Sequence, residues 1–222
     1  EGIGRRAAYL ALLQQYPQAR RRVADLMSAS RWGAQFLARH PILLDEMLDA
    51  RNLDSTPDWK AFRASLAAEL DALEPDMERQ MDVMRERHHA QVFRLLTQDL
   101  AGLLTVEKLA DHLSELADIV LDLTLPLCWR RIKIRHRAEP KFSVISYGKL
   151  GGKELGYAPD LDIAVLFDDD APEAAEVYTR LAQRTNTWLS SQTAAGQLFD
   201  TDLRLRPNGE SGLIGTSLEA FR

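Results

Sequence analysis

Apolar residues recur every three to four positions over the first 137 residues, and short alternating runs replace them beyond position 138. That change of period predicts helices first and strands afterwards. Tyr9, Leu10, Leu12 and Leu13 share a helical stripe that Pro17 interrupts. Val23, Leu26 and Met27 mark a second short helix. Ser30 is placed to cap a third, carrying Trp32, Phe36 and Leu37. Pro41 opens a fourth, with Ile42, Leu43, Met47 and Leu48. Residues 51–57 read as a loop, and residues 58–73 are helical again. Residues 76–100 predict a long helix closed by Gly102, whose Met77, Met81 and Met84 have the spacing of core residues. The longest predicted helix runs from a Thr105 cap to about Arg135, with a kink at Pro126. His88 and His89 are adjacent, so they leave a helix on different faces; a surface position is expected for them, and they make poor metal ligands as a pair.

The later texture differs. Residues 142–146 predict a strand, residues 148–152 a glycine-rich turn, and residues 161–167 a second strand. Asp168, Asp169 and Asp170 read as a solvated turn. Pro172 opens a helix to about Leu189, and residues 197–205 predict a third strand, ended by Pro207-Asn208-Gly209. The expected fold class is α+β: a mainly helical part over residues 1–137, then a small mixed-sheet unit over residues 138–222.

Composition narrows the function classes. The chain has 222 residues and a formal net charge of −5, which offers no general attraction to nucleic acid or to an anionic membrane. No run approaches the 18 or so apolar residues of a membrane span, and the start lacks a signal-peptide pattern. Cys128 is the single cysteine, so no internal disulfide is possible and a reducing cytoplasm fits. Its apolar setting marks it as a core residue. The chain opens at Glu1 without methionine and closes at Phe221-Arg222 with no stop signal, so it reads as a piece of something longer.

The chemistry gathers in the last 80 or so residues. Asp160 and Asp162 are two apart at the start of a strand, so both point to one face. Paired carboxylates repel unless a cation lies between them, and hard oxygen ligands suit Mg²⁺. Gly151 and Gly152 lie just upstream, where glycine lets backbone N–H groups approach a polyphosphate. Asp202, Arg204 and Arg206 alternate along the third predicted strand and add a carboxylate and two guanidinium groups that suit phosphate oxygens. Each element alone is weak; their order along the chain is much more specific.

That order resembles the polymerase-beta-like nucleotidyltransferase superfamily. Within it, the run Gly148-Lys-Leu-Gly-Gly-Lys-Glu-Leu-Gly156, the triplet Asp160-Leu-Asp162 and the run Asp202-Leu-Arg-Leu-Arg-Pro-Asn-Gly209 resemble the glutamine synthetase adenylyltransferase / adenylyl-removing family. His40-Pro-Ile-Leu-Leu-Asp45 and residues 98–117 resemble it more loosely. The resemblance implies two homologous halves in a long chain, one moving AMP from ATP to a tyrosine of glutamine synthetase, the other removing it by phosphorolysis. Lys153-Glu-Leu-Gly-Tyr157 before the aspartates looks like the C-terminal, adenylylating half; the removing half typically reads Glu-Leu-Asn and then Ser-Ser-Asp-Ile-Asp. The resemblance implies two Mg²⁺ ions on Asp160, Asp162 and Asp202, with ATP as substrate. Gly151 and Gly152 would hold its β,γ-phosphates, and Lys149, Lys153, Arg204 or Arg206 would balance their charge. It also implies glutamine synthetase as protein substrate, and a PII-type signal protein and glutamine as regulators. Ser146 departs from the glycine usual there, and Ala158-Pro159 from a polar pair. A removing half and a non-catalytic regulatory module are the alternatives; a nucleic-acid polymerase is disfavoured by the acidic balance.

Overall fold

The computed structural model describes residues 2–48, 55–202 and 215–221. Helices α1 (Gly2–Gln15), α2 (Pro17–Ala29) and α3 (Arg31–Arg39) come first. Pro17 begins α2, where its missing N–H costs nothing. Tyr9 and Leu13 pack against the core, whereas Leu10, expected on the same stripe, is exposed. Ser30 caps α3 as expected, its hydroxyl accepting the Gly33 N–H at 2.9 Å. The expected fourth helix is instead two 3₁₀ turns, Pro41–Leu44 and Glu46–Leu48, which still bury Leu43, Leu44 and Met47.

Three further helices form the frame: α4 (Trp59–Ala72), α5 (Met77–Leu100) and α6 (Val106–Arg130), capped by Asp58, Asp76 and Thr105. Helix α6 runs through Pro126 but stops short of Arg135. The N–H groups of Arg131 and Ile132 turn back to the Cys128 and Trp129 carbonyls, and the Arg135 guanidinium donates to the Arg130 carbonyl at 2.7 Å. These bonds satisfy the acceptors that a helix end leaves over.

Helix α5 is buried on nearly every side. Met84, Phe93, Leu95 and Leu96 are sealed in the core, each such side chain contributing roughly 1.5–3 kcal/mol. Gln80, Arg85, His88, His89 and Gln98 are sealed as well. The surface position expected for His88 and His89 is therefore overturned: each is 6% exposed. Both lie where α5 meets the segment entering the third strand; the His88 ring meets Phe199 edge-on, and His89 Nε2 pairs with the Gln197 carbonyl at 3.0 Å.

Arg85 is 0% exposed and has no carboxylate partner among the described residues. Its guanidinium donates to the carbonyls of Met81 (3.0 Å), Trp188 (2.7 Å), Ser191 (2.8 Å) and Gly196 (2.8 Å). Burial lowers its pKa to about 10, with Asp82 opposing, so the charge persists at neutral pH. It fastens the helical frame to the segment that leads into the third strand.

The first strand among the described residues is β1 (Phe142–Ser146), antiparallel to β2 (Asp160–Phe167). The other edge of β2 takes β3 (Asp200–Asp202) along its first residues and β4 (Gly215–Ser217) along its last, both parallel. The one-turn helix α7 (Gly148–Gly151) links β1 to β2, α8 (Ala174–Ser190) covers the sheet, and α9 (Leu218–Phe221) follows β4. The glycine-rich turn is thus helical. Helix α8 starts two residues after Pro172 because the Ala174 N–H first closes a turn on Ala171. One apolar cluster runs from α2 through the helical frame to α8 and β2. Within it Tyr178 stacks on Phe167, ring centres 4.9 Å apart. Cys128 is buried there, and burial pushes its thiol up to about 12.

Two expectations about loops change. Only Asp200–Asp202 of the expected third strand is strand, because the Phe199 N–H donates to the Leu189 carbonyl at the end of α8; residues 203–205 lie outside the described residues. Asp169 is not solvated: its side chain is 1% exposed. Burial pushes its pKa up, but hydrogen bonds from His136 and Tyr178, the Ala171 N–H and the Arg137 charge outweigh that and hold it at about 2.

Candidate active site

Along β2 the odd positions Leu161 and Ile163 are sealed in the core, while Asp160 is exposed and Asp162 half-buried. The pleat therefore presents both carboxylates away from the core. The parallel register sets Asp160 opposite Asp200, Leu161 opposite Thr201 and Asp162 opposite Asp202. Neighbouring strands lie about 4.8 Å apart, so this ladder puts four aspartate positions on two alternate rungs of one face, with Leu161 and Thr201 between them. Asp202 is placed here by its backbone alone. Among the described residues neither Asp160 nor Asp162 has an ion-pair partner. Asp200 accepts a 2.6 Å hydrogen bond from the Gln197 amide. Among the described residues no three His, Cys, Asp or Glu side chains close into a metal cage.

The glycine turn abuts these carboxylates. The Tyr147 N–H donates to the Asp162 carbonyl at 2.8 Å, pinning the turn to β2. Gly148 has φ +52°, and the Asp162 carboxylate occupies the place a Cβ on Gly148 would take. Only glycine combines that backbone with that approach. A Cβ on Gly151 would come within 2.5 Å of the Ser146 carbonyl, so Gly151 is fixed by close packing. Ser146 itself ends β1 as an ordinary strand residue opposite Ile163.

The N–H groups of Gly151 and Gly152 are already used. They donate to the Tyr147 and Gly148 carbonyls, both at 3.0 Å. This corrects the expectation that these two present free N–H groups to a polyphosphate. The N–H groups that a single turn leaves without an internal acceptor are those of Gly148, Lys149 and Leu150. Lys149 and Lys153 are exposed on and just after the turn, Lys153 with φ +54°. Burial raises the Asp118 carboxyl on α6, the Glu115 charge adds to this, and the Lys153 charge opposes it. Arg204 and Arg206 lie outside the described residues.

Beside the first rung opens a cavity of about 390 Å³ whose lining includes Pro159 and Asp200. Its far wall carries Trp32, Phe36, His88 and Tyr157. Sequence reasoning missed this feature, because its residues come from α3, α5, α6, β3 and the loops before β2 and β3. It also passed over Asp200, although Asp200-Thr-Asp202 repeats the spacing of Asp160-Leu-Asp162.

The profile of the glutamate-ammonia ligase adenylyltransferase family matches residues 20–222, nearly the whole chain. The chain belongs to that family. A bifunctional glutamine synthetase adenylyltransferase/adenylyl-removing enzyme of Aromatoleum aromaticum is 78% identical over all 222 residues. Proteins of the same name from Ralstonia nicotianae and Chromobacterium violaceum are 55% and 56% identical over the same length. The chain spans about a quarter of these relatives (24%, 23% and 25%). The glycine turn and the Asp160-Leu-Asp162 triplet that carried the resemblance thus meet at one point of the fold, on the solvent side of β2. Among the described residues no helix is long and apolar enough to cross a membrane.

Proposed function

We propose that this chain is an AMP-transferring unit that moves the nucleotide from ATP to a tyrosine of glutamine synthetase, using two Mg²⁺ ions. The observation that supports it best is the packing of the Asp162 carboxylate over Gly148, which makes the acidic strand and the glycine turn one site. Bound Mg²⁺ would supply charge neutralisation and polarisation of phosphate oxygens. The residues present fit it: Asp160 and Asp162 offer hard oxygens on one strand face, without a competing cation among the described residues. Asp202 would complete the set from the neighbouring strand, opposite Asp162 in the register. The first-turn N–H groups of α7, with Lys149 and Lys153, would hold the β,γ-phosphates, and Arg204 or Arg206 would balance the remaining charge.

In this role the aspartates would hold the Mg²⁺ that draws in the phosphates, and the pinning of Tyr147 to β2 fixes the turn against them. Glycine at 156 supports the adenylylating half. The relatives' printed name covers both activities, so the removing half is the competing outcome. Regulation by glutamine and a PII-type protein belongs to the longer chain and stays part of the proposal.

The test incubates the chain with unmodified glutamine synthetase, Mg²⁺ and ATP labelled at the α-phosphate. Label on a synthetase tyrosine, lost in Asp162→Asn, is the expected result. No label, with phosphate-dependent release of ADP from adenylylated synthetase, would replace this reading by the removing one. Neither activity would overturn both.

A further inference from the structure

The cavity beside the first aspartate rung lies outside the carboxylates and the glycine turn assigned to metal and phosphate. At about 390 Å³ it falls within the size range of small-molecule sites. One wall is aromatic and fixed in place. Trp32 stacks on Phe36 and on Tyr157, with ring centres 4.8 and 5.0 Å apart. Tyr157 is pinned in turn by its hydroxyl, which donates to Asp99 at 2.7 Å. A wall already ordered costs little further entropy when a flat ligand lies on it.

The polar lining is neutral apart from Arg39 and Asp200. His88 is 94% buried, and neither of its ring nitrogens has a hydrogen-bond partner among the described residues. A buried imidazole without a partner forgoes a hydrogen bond that a bound polar group could return. Burial keeps His40, His88 and His89 in their uncharged forms at neutral pH. Such a lining suits a flat, uncharged ring with a hydrogen-bonding edge. Asp200 stands at the mouth, held by the Gln197 amide and opposite Asp160 in the ladder. Asp160 is in turn two residues, roughly 7 Å of strand, from the Asp162 carboxylate at the glycine turn.

We infer that this cavity seats the purine nucleoside of the triphosphate: the base on the Trp32–Tyr157 wall within reach of His88, and a ribose hydroxyl donating to Asp200. This rests on the nucleotidyl-transfer reading above, since it places the phosphates at the glycine turn. A flat ring entering here would trade water for an aromatic face.

The test is calorimetric binding of Mg²⁺-ATP, of Mg²⁺-tripolyphosphate and of adenosine to the wild-type chain, to His88→Leu and to Ala194→Trp. Ala194 is an exposed lining residue, so a tryptophan there blocks the mouth without entering the core. ATP is expected to bind at least tenfold more tightly than tripolyphosphate, and both substitutions should erase that advantage while leaving tripolyphosphate unchanged. Asp200→Asn should narrow the preference for ATP over its 2′- and 3′-deoxy forms. Equal affinity of ATP and tripolyphosphate in the wild type would overturn the inference, as would an ATP advantage that survives Ala194→Trp. If neither triphosphate binds, the nucleotidyl-transfer reading fails, and adenosine decides the cavity alone: saturable binding lost in Ala194→Trp sustains it, and no binding removes it.

Discussion

Replacing Arg85 by methionine should remove about 3 kcal/mol of stability, although the change swaps a charge in the core for an apolar side chain of similar length. The guanidinium is wholly buried and supplies donors to the Trp188, Ser191 and Gly196 carbonyls. Gly196 keeps a second donor, the Thr193 N–H at 2.9 Å, so two carbonyls are left without one. A hydrogen bond from a charged donor contributes about 1.5–3 kcal/mol, which puts the loss at about 3–6 kcal/mol. Relief of the guanidinium's desolvation returns part of that. The outcome is large against a total stability of about 5–15 kcal/mol. Urea denaturation followed by tryptophan fluorescence reads it directly, and at a slope of roughly 3 kcal/mol per molar the midpoint should fall by about 1 M. Arg85→Lys should fall part of the way, since one ammonium cannot span three carbonyls set apart around a loop. An Arg85→Met midpoint within 0.2 M or so of wild type would refute the assignment of Arg85 as the clamp between helical frame and β3.

Gly148→Ala places a Cβ where the Asp162 carboxylate lies and adds a left-handed backbone cost of about 1–2 kcal/mol. It should cut AMP transfer far more than it lowers the melting temperature, and activity near wild type would show that the carboxylate need not sit there. Asp160→Asn should abolish transfer while leaving metal-free thermal stability equal or higher; early melting would mark Asp160 as structural. Burial lowers His89 from 6.5 to about 4, so between those values the unfolded chain binds a proton that the folded chain refuses. At about 1.4 kcal/mol per unit that group's contribution, complete above pH 6.5, should shrink by about 3 kcal/mol as pH falls to 4, and His89→Gln should flatten the slope in urea titrations.

Much of the fold was legible because local chemistry and tertiary need agree. Ser30 and Thr105 cap where their side chains predict, and β2 follows its own apolar run. The sequence misled where packing overrode the pattern. Helix α5 is buried all round, so Arg85, His88 and His89 look like surface residues in a one-dimensional reading and prove to be core. Asp169 reads as one of three solvated aspartates until Tyr178, His136 and Arg137 are brought to it from distant positions. At the site, the Asp160–Asp162 pairing follows from strand period alone. The contact of Asp162 with Gly148 and the ladder to Asp200 need the fold, because they depend on how α7 and β3 are docked onto β2.

That docking bears on why the acidic strands are tolerated. The parallel register lines Asp160 with Asp200 and Asp162 with Asp202, about 5 Å apart across the ladder. Exposed charges that close, such as Asp160 and Asp200, repel by about 1 kcal/mol even in bulk water. The described part of β3 is three residues long, and so short a stretch gains little from its own hydrogen bonds. What holds it against that repulsion lies on either side. The Phe199 N–H is bonded to the end of α8, Thr201 is bonded to Asn186 within α8, and Arg85 grips the loop before it. The helical frame thus supplies the constraint, and among the described residues Asp160 and Asp162 stand without an ion-pair partner. A cation entering there would meet carboxylates already ordered by bonds remote from the metal, so its binding energy need not be spent on arranging them.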